Sequence, residues 1–217
     1  MLINDDFAFI HFPKTAGKSL TKYFIAAWDD PIYGRVSPGQ VQELADVMRP
    51  GITLEVDRGH ENIRRTSIIM REQGRRIEDL RAIFVCIRNP YDMAVSTYFF
   101  MRETYVQNAK SPRFKMAAEL SFEEFWKNDI SKTPPERWLT LNGRILENQR
   151  FIRFESLRED LALLALEFDF REAELPHLNQ SRRGHYSEYM TPAAERAIYT
   201  RFEYMFEVGY YRRESFD

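Results

Sequence analysis

The chain has 217 residues, 44% of them hydrophobic, a formal net charge of −2 and a single cysteine. That length buries a real core, the near-neutral charge excludes a global basic field for nucleic acid or an anionic membrane, and one cysteine excludes a disulfide framework. The opening MLINDDFAF lacks the basic and apolar regions of a signal segment, and no apolar run of about eighteen residues occurs, so a soluble, cytoplasmic protein without a transmembrane segment is the expectation.

Residues 7–12 (FAFIHF) predict an apolar strand that runs into the loop PKTAGK. Leu20, Tyr23, Phe24, Ala27 and Trp28 then recur at helical spacing, predicting a helix over 19–28 with one apolar face. A loop that opens a helix presents backbone N–H groups at the positive end of the dipole and suits a phosphate or sulfate. Lys14 and Lys18 add two charges, Thr15, Ala16, Gly17, Lys18, Ser19 and Leu20 offer amides, and Gly17 permits close backbone approach. Residues 31–39 (PIYGRVSPG) read as a turn-rich loop, 41–47 as a helix and 52–56 (ITLEV) as a second strand. Gly59 and His60 follow, ahead of a helix over 61–72.

Residues 83–87 (IFVCI) are continuously apolar, as in a parallel strand buried on both faces, with Cys86 a small buried hydrophobe. Arg88 ends the strand, and Asn89 and Pro90 read as N-cap and first residue of a helix over 91–101. Ser96 lies eight residues beyond Arg88, so a guanidinium and a hydroxyl are placed to grip one phosphate from two sides. Residues 102–115 are polar, and their Lys110, Arg113 and Lys115 read either as a solvated loop or as contacts to an acidic or hydroxyl-rich acceptor. Ser121 and Glu124 form a capping box for a helix over 122–126. A fourth strand is predicted at 151–154 and a helix at 157–166. Thr191 and Pro192 open the last helix, on which Ile198, Phe202, Met205 and Phe206 mark the apolar face. This alternation predicts an α/β fold in one domain spanning 1–217, with a P-loop-like, mostly parallel central sheet flanked by helices and the ligand at the carboxyl ends of the strands.

Two of these stretches, PKTAGKSL and RNPYDMAVS, resemble the 5′-phosphosulfate loop and the 3′-phosphate motif of the sulfotransferase superfamily, whose donor is 3′-phosphoadenosine 5′-phosphosulfate (PAPS). FIRFESLRED resembles the strand and helix start that follow in that family, and LPHLNQSRRGHYSEYMTP resembles the C-terminal segment of its carbohydrate-type members. The resemblance implies in-line sulfuryl transfer from PAPS to a hydroxyl acceptor, a carbohydrate or glycolipid, with 3′,5′-bisphosphoadenosine (PAP) as product and no metal. It gives Lys14 the charge on the leaving phosphate, while Lys18 departs from the small hydroxyl residue of many members. Arg182, Arg183 and Gly184 resemble a basic loop over the 3′-phosphate. Gly59-His60 is similar to the place where some carbohydrate sulfotransferases hold a catalytic histidine, so His60 is the candidate general base. Other branches use a glutamate, which keeps Glu55 and Glu61 as rivals. His11 is expected to pack within the sheet, and His177 and His185 share no metal-ligand spacing with another residue.

Two other functions stay open on the sequence. Gly17-Lys18-Ser19 reproduces the end of a P-loop kinase or NTPase motif, and Asp57 fits the magnesium-organising acid, but Phe12 stands where that motif requires glycine. A non-catalytic module that binds PAPS or a sulfated glycan is the second.

Overall fold

The computed structural model describes residues 1–57, 59–131, 133–176 and 183–216. Their strands are β1 (Leu2–Ile3), β2 (Phe7–Ile10), β3 (Ile32–Val36), β4 (Ile52–Val56), β5 (Ala82–Ile87) and β6 (Gln149–Arg153). The helices are α1 (Gly17–Ala27), α2 (Pro38–Val41), α3 (Ile63–Glu72), α4 (Pro90–Glu103), α5 (Pro112–Glu119), α6 (Phe122–Lys127), α7 (Glu136–Leu139), α8 (Leu157–Phe168) and α9 (Pro192–Glu207). The chain divides into two compact units, one of Met1–Ile87 with Arg137–Leu178, the other of Arg88–Glu136 with Asn179–Asp217.

The first unit holds the whole sheet, in the order β4-β3-β1-β2-β5-β6. Strands β2, β5 and β6 pair in parallel, as do β3 and β4, and β1 alone runs against its two neighbours. This is the mostly parallel α/β sheet that the alternating pattern predicts. Every residue of β5 is buried, which is why its sequence carries no polar alternation. Phe7, Phe9, Phe24, Trp28, Phe84, Phe168 and Phe170 interlock in one aromatic core, with Phe24 packed 4.7 Å from Trp28 and 5.3 Å from Phe84 between ring centroids.

Residues 31–39 correct the reading of a loop. They form β3 and the start of α2, and Gly34 serves packing: a Cβ there would come within 2.7 Å of Leu2 Cδ2 and 2.8 Å of Leu54 Cδ2 on the neighbouring strands. The helix read over 41–47 is a 3-10 segment, Gln42–Val47, behind the short α2. Helix α3 begins two residues later than expected, because the Asn62 side chain caps it through the Arg65 N–H.

The second unit is helical, with α4 packed on α5 and α9, and α6 on α9. Asn89 caps α4 by accepting from the N–H groups of Tyr91 and Asp92, and the Ser121–Glu124 capping box opens α6, both as expected. The basic cluster of residues 102–115 separates into different roles. Arg113 is an internal brace, its Nε 2.6 Å from the buried carboxylate of Asp129, which also receives Arg201 at 3.4 Å. Lys115 pairs loosely with Glu119 on the surface of α5. Among the described residues no helix is long and apolar enough to cross a membrane.

Candidate functional site

In the first unit, β2 ends at Ile10 and the chain reaches α1 through a loop built on unusual backbone angles. Lys14 and Ala16 both have left-handed φ, 66° and 57°. Each such residue without glycine's freedom costs roughly 1–3 kcal/mol, a strain that concentrates at ligand clamps. Thr15 is fully buried between them and its hydroxyl donates to the Phe12 carbonyl at 2.8 Å, pinning the turn. Ala16 is the N-cap of α1 and offers no capping side chain, and no acidic residue sits in the first turn. The N-terminal end of α1 is therefore electropositive without a built-in anion. Ser19 and Thr21 are buried along α1, with the Thr21 hydroxyl donating to the Gly17 carbonyl at 2.7 Å. Lys18 points elsewhere: its ammonium pairs with Glu43 at 2.9 Å, which accounts for a lysine where the resemblance has a small hydroxyl residue.

Gly17 has a second reason to be glycine besides the one its sequence suggests. A Cβ on it would lie 1.7 Å from Cδ2 and 1.8 Å from Nε2 of His11, so the glycine makes room for an imidazole. Buried His11 packs its ring 6.2 Å from Phe9 and edge-on to the ring of His60 at 4.4 Å. Burial holds its pKa well below the usual histidine value, and the neighbouring His60 lowers it further. His60 is exposed, yet stands between His11 and Trp138, the latter 6.5 Å away and itself stacked on Phe12. Crowding by these packed groups lowers the His60 pKa, against a smaller upward pull from the His11 backbone, so it is neutral near pH 7.

The rival bases are occupied. Arg35 on β3 reaches Glu55 at 3.0 Å, Glu61 at 3.3 Å and Asp57 at 3.6 Å, holding all three carboxylates in one ion-pair cluster. Asp57, the acid of the NTPase reading, is thus committed to an arginine.

The buried, neutral His11 predicts a pH dependence of stability. Below about pH 6.5 the unfolded chain takes up a proton that folded His11 refuses, so stability falls with falling pH, by up to about 1.4 kcal/mol per pH unit from this group. Melting temperatures of the wild type and His11→Phe between pH 7 and 5.5 check it. The variant should lose less on acidification, and parallel curves would reject the assignment.

In the second unit, Arg88 is buried at the foot of α4 and donates from Nε to Asp92 at 2.6 Å. Arg183 donates to the other oxygen of the same carboxylate. Two guanidiniums on one carboxylate leave a net positive charge, with arginines whose orientation is already set. Ser96, buried, follows Asp92 by one helical turn on α4. Arg88, Ser96 and Arg183 are thus all in this unit, and Asp92 joins the two arginines, a link the sequence reading missed although its four-residue offset from Arg88 was the available signal. Gly184 turns tightly under the Glu188 carboxylate, whose Oε2 would be 2.0 Å from a Cβ. His185 caps the following 3-10 turn by accepting from Ser187 N–H. Arg182 and His177 lie outside the described residues. Among the described residues no group of three or more His, Cys, Asp or Glu side chains is arranged to hold a metal ion.

No protein-family model matches the chain, and no curated protein sequence does. Among solved structures, that of the mouse sulfotransferase SULT7A1 complexed with PAP is similar over 95% of this chain and 84% of that one, at 16% identity and a TM-score of 0.48. A likeness of that size assigns no function.

Proposed function

We propose that this protein transfers a sulfuryl group from PAPS to a hydroxyl acceptor, and in the finer form of the proposal to a carbohydrate or glycolipid. The observation that carries it is the opening of α1, uncapped, free of acid and strained at Lys14 and Ala16, beside the paired imidazoles of His11 and His60. In this reading Lys14 and the amides of Thr15 to Leu20 take the phosphosulfate end of the donor. Arg88, Ser96 and Arg183 take the 3′-phosphate, with Asp92 orienting the two arginines. Arg182 and Gly184 belong to the same proposal through the sequence resemblance alone.

The chemistry asks for alignment, charge neutralisation and one proton acceptor. A lone pair on the acceptor oxygen forms the new O–S bond as the bond from sulfur to the 5′-phosphate oxygen breaks. The departing electron pair stays on PAP, next to the Lys14 ammonium. The acceptor's proton passes to the unprotonated ring nitrogen of His60. His60 is preferred over Glu55 and Glu61 because both glutamates are engaged by Arg35.

Calorimetry with PAP tests the reading. PAP should bind and ATP with magnesium should not, and Arg88→Ala should weaken PAP strongly; no heat from PAP at millimolar concentration would end the proposal. Lys14→Ala should lower turnover with labelled PAPS by about a hundredfold, on the order of 3 kcal/mol of transition-state stabilisation. Turnover within threefold of wild type would remove Lys14 from the chemistry.

A further inference from the structure

A polar cleft, about 370 Å³, opens in the first unit beside α3, lined by Arg64, Ser67, Ile68, Arg71, Arg76, Glu78, Leu141 and Asn142. Three guanidiniums face one carboxylate there. Arg76 is within 3.8 Å of that carboxylate, Glu78, whereas Arg64 and Arg71 have no acidic partner among the described residues. Arg64 and Arg71 are seven residues apart on one helix, so they share a face at an axial separation of about 10 Å. Ser67 and Ile68 fall between them on the same side.

The opposite wall is set by backbone geometry. Leu141 and Arg144 exchange both backbone hydrogen bonds, at 2.9 and 3.1 Å, across the pair Asn142-Gly143. Both central residues are left-handed, φ 53° and 77°, the tight hairpin turn that an Asn-Gly pair favours. Asn142 is therefore presented to the cleft by a rigid turn rather than a loose loop.

We infer that this cleft binds an acidic oligosaccharide, one whose sulfate or carboxylate groups repeat at about the spacing of Arg64 and Arg71. The guanidiniums supply paired donors for those groups. Asn142, exposed, supplies a neutral amide for ring hydroxyls, and the half-buried Ile68 gives an aliphatic surface for a ring face. The volume suits a short saccharide. The lining has no aromatic side chain on which a nucleobase would stack, which disfavours a nucleic acid or nucleotide. The inference stands independently of sulfuryl transfer, since none of its residues belongs to the donor-binding proposal.

Calorimetry of the full chain with fully sulfated maltotetraose and with maltotetraose itself provides the test. The sulfated sugar should bind, more weakly at high salt, and the neutral sugar should bind at least about tenfold less well. Arg71→Gln should weaken the sulfated sugar about tenfold, and R64Q/R71Q/R76Q about a hundredfold. The triple variant should keep its melting temperature and its PAP heat, because all three side chains are at the surface. Equal binding of the two sugars, an unaffected triple variant, or no binding by the wild type would each overturn the inference. Silence with PAP alone would sink the donor assignment and leave this one standing.

Discussion

Replacing His60 by alanine is expected to cut sulfuryl-transfer turnover by about 10²–10⁴-fold, the usual contribution of a positioned general base, with PAP affinity within threefold of wild type. The size follows from what the imidazole does in the proposal: it takes the acceptor's proton while the O–S bond forms, and the two rival glutamates are engaged elsewhere. Glu61 and Glu55 are held by Arg35, so Glu61→Gln should cost far less than His60→Ala. The pH profile separates the two. Because packing lowers the His60 pKa, the acidic limb of kcat/KM should lie below the ordinary histidine value. His60→Ala should abolish that limb. A Glu61→Gln loss as large as that of His60→Ala would transfer the role to the glutamate.

Much of this arrangement is legible in the chain itself, and the failures have physical causes. Strands β2, β4, β5 and β6 and the starts of α4, α6 and α9 are set by local signals, namely continuous apolar runs and capping residues, and local signals are what a sequence displays. Strand β3 escaped because Pro31 and Gly34 look like turn residues. Gly34 is there for the space taken by Leu2 and Leu54, a requirement imposed by two other strands. Strand β1 is two residues long, below any periodicity. The candidate site divides the same way. The loop from Lys14 to Leu20 and the pair Arg88 and Ser96 are contiguous or nearly so and carry recognisable patterns. The capture of Glu55, Asp57 and Glu61 by Arg35, the second arginine that Asp92 takes in Arg183, and the edge-on contact of Trp138 with His60 join residues distant in sequence, and pairing of that kind leaves no local trace.

Gly17→Ala carries the other large effect, and its sign can be reversed. Gly17 opens α1 with no positive φ, so backbone conformation gives no reason for a glycine there; at such a helical position alanine is favoured by roughly 0.5–1 kcal/mol. The obstacle is the His11 ring, less than 2 Å from where the new methyl would sit. That ring is boxed in by Phe9 and His60, so it cannot swing aside without displacing His60. Overpacking of this severity should destabilise the fold by about 3 kcal/mol, at the upper end of such substitutions, and should disturb the loop that follows. A double-mutant cycle isolates the cause. On a His11→Ala background the ring is gone, and Gly17→Ala should there be neutral or slightly stabilising, while PAP binding lost in the Gly17→Ala single variant should return. If Gly17→Ala destabilises equally with and without His11, the glycine serves the bound anion directly, and the imidazole pair is not what joins the loop to its base.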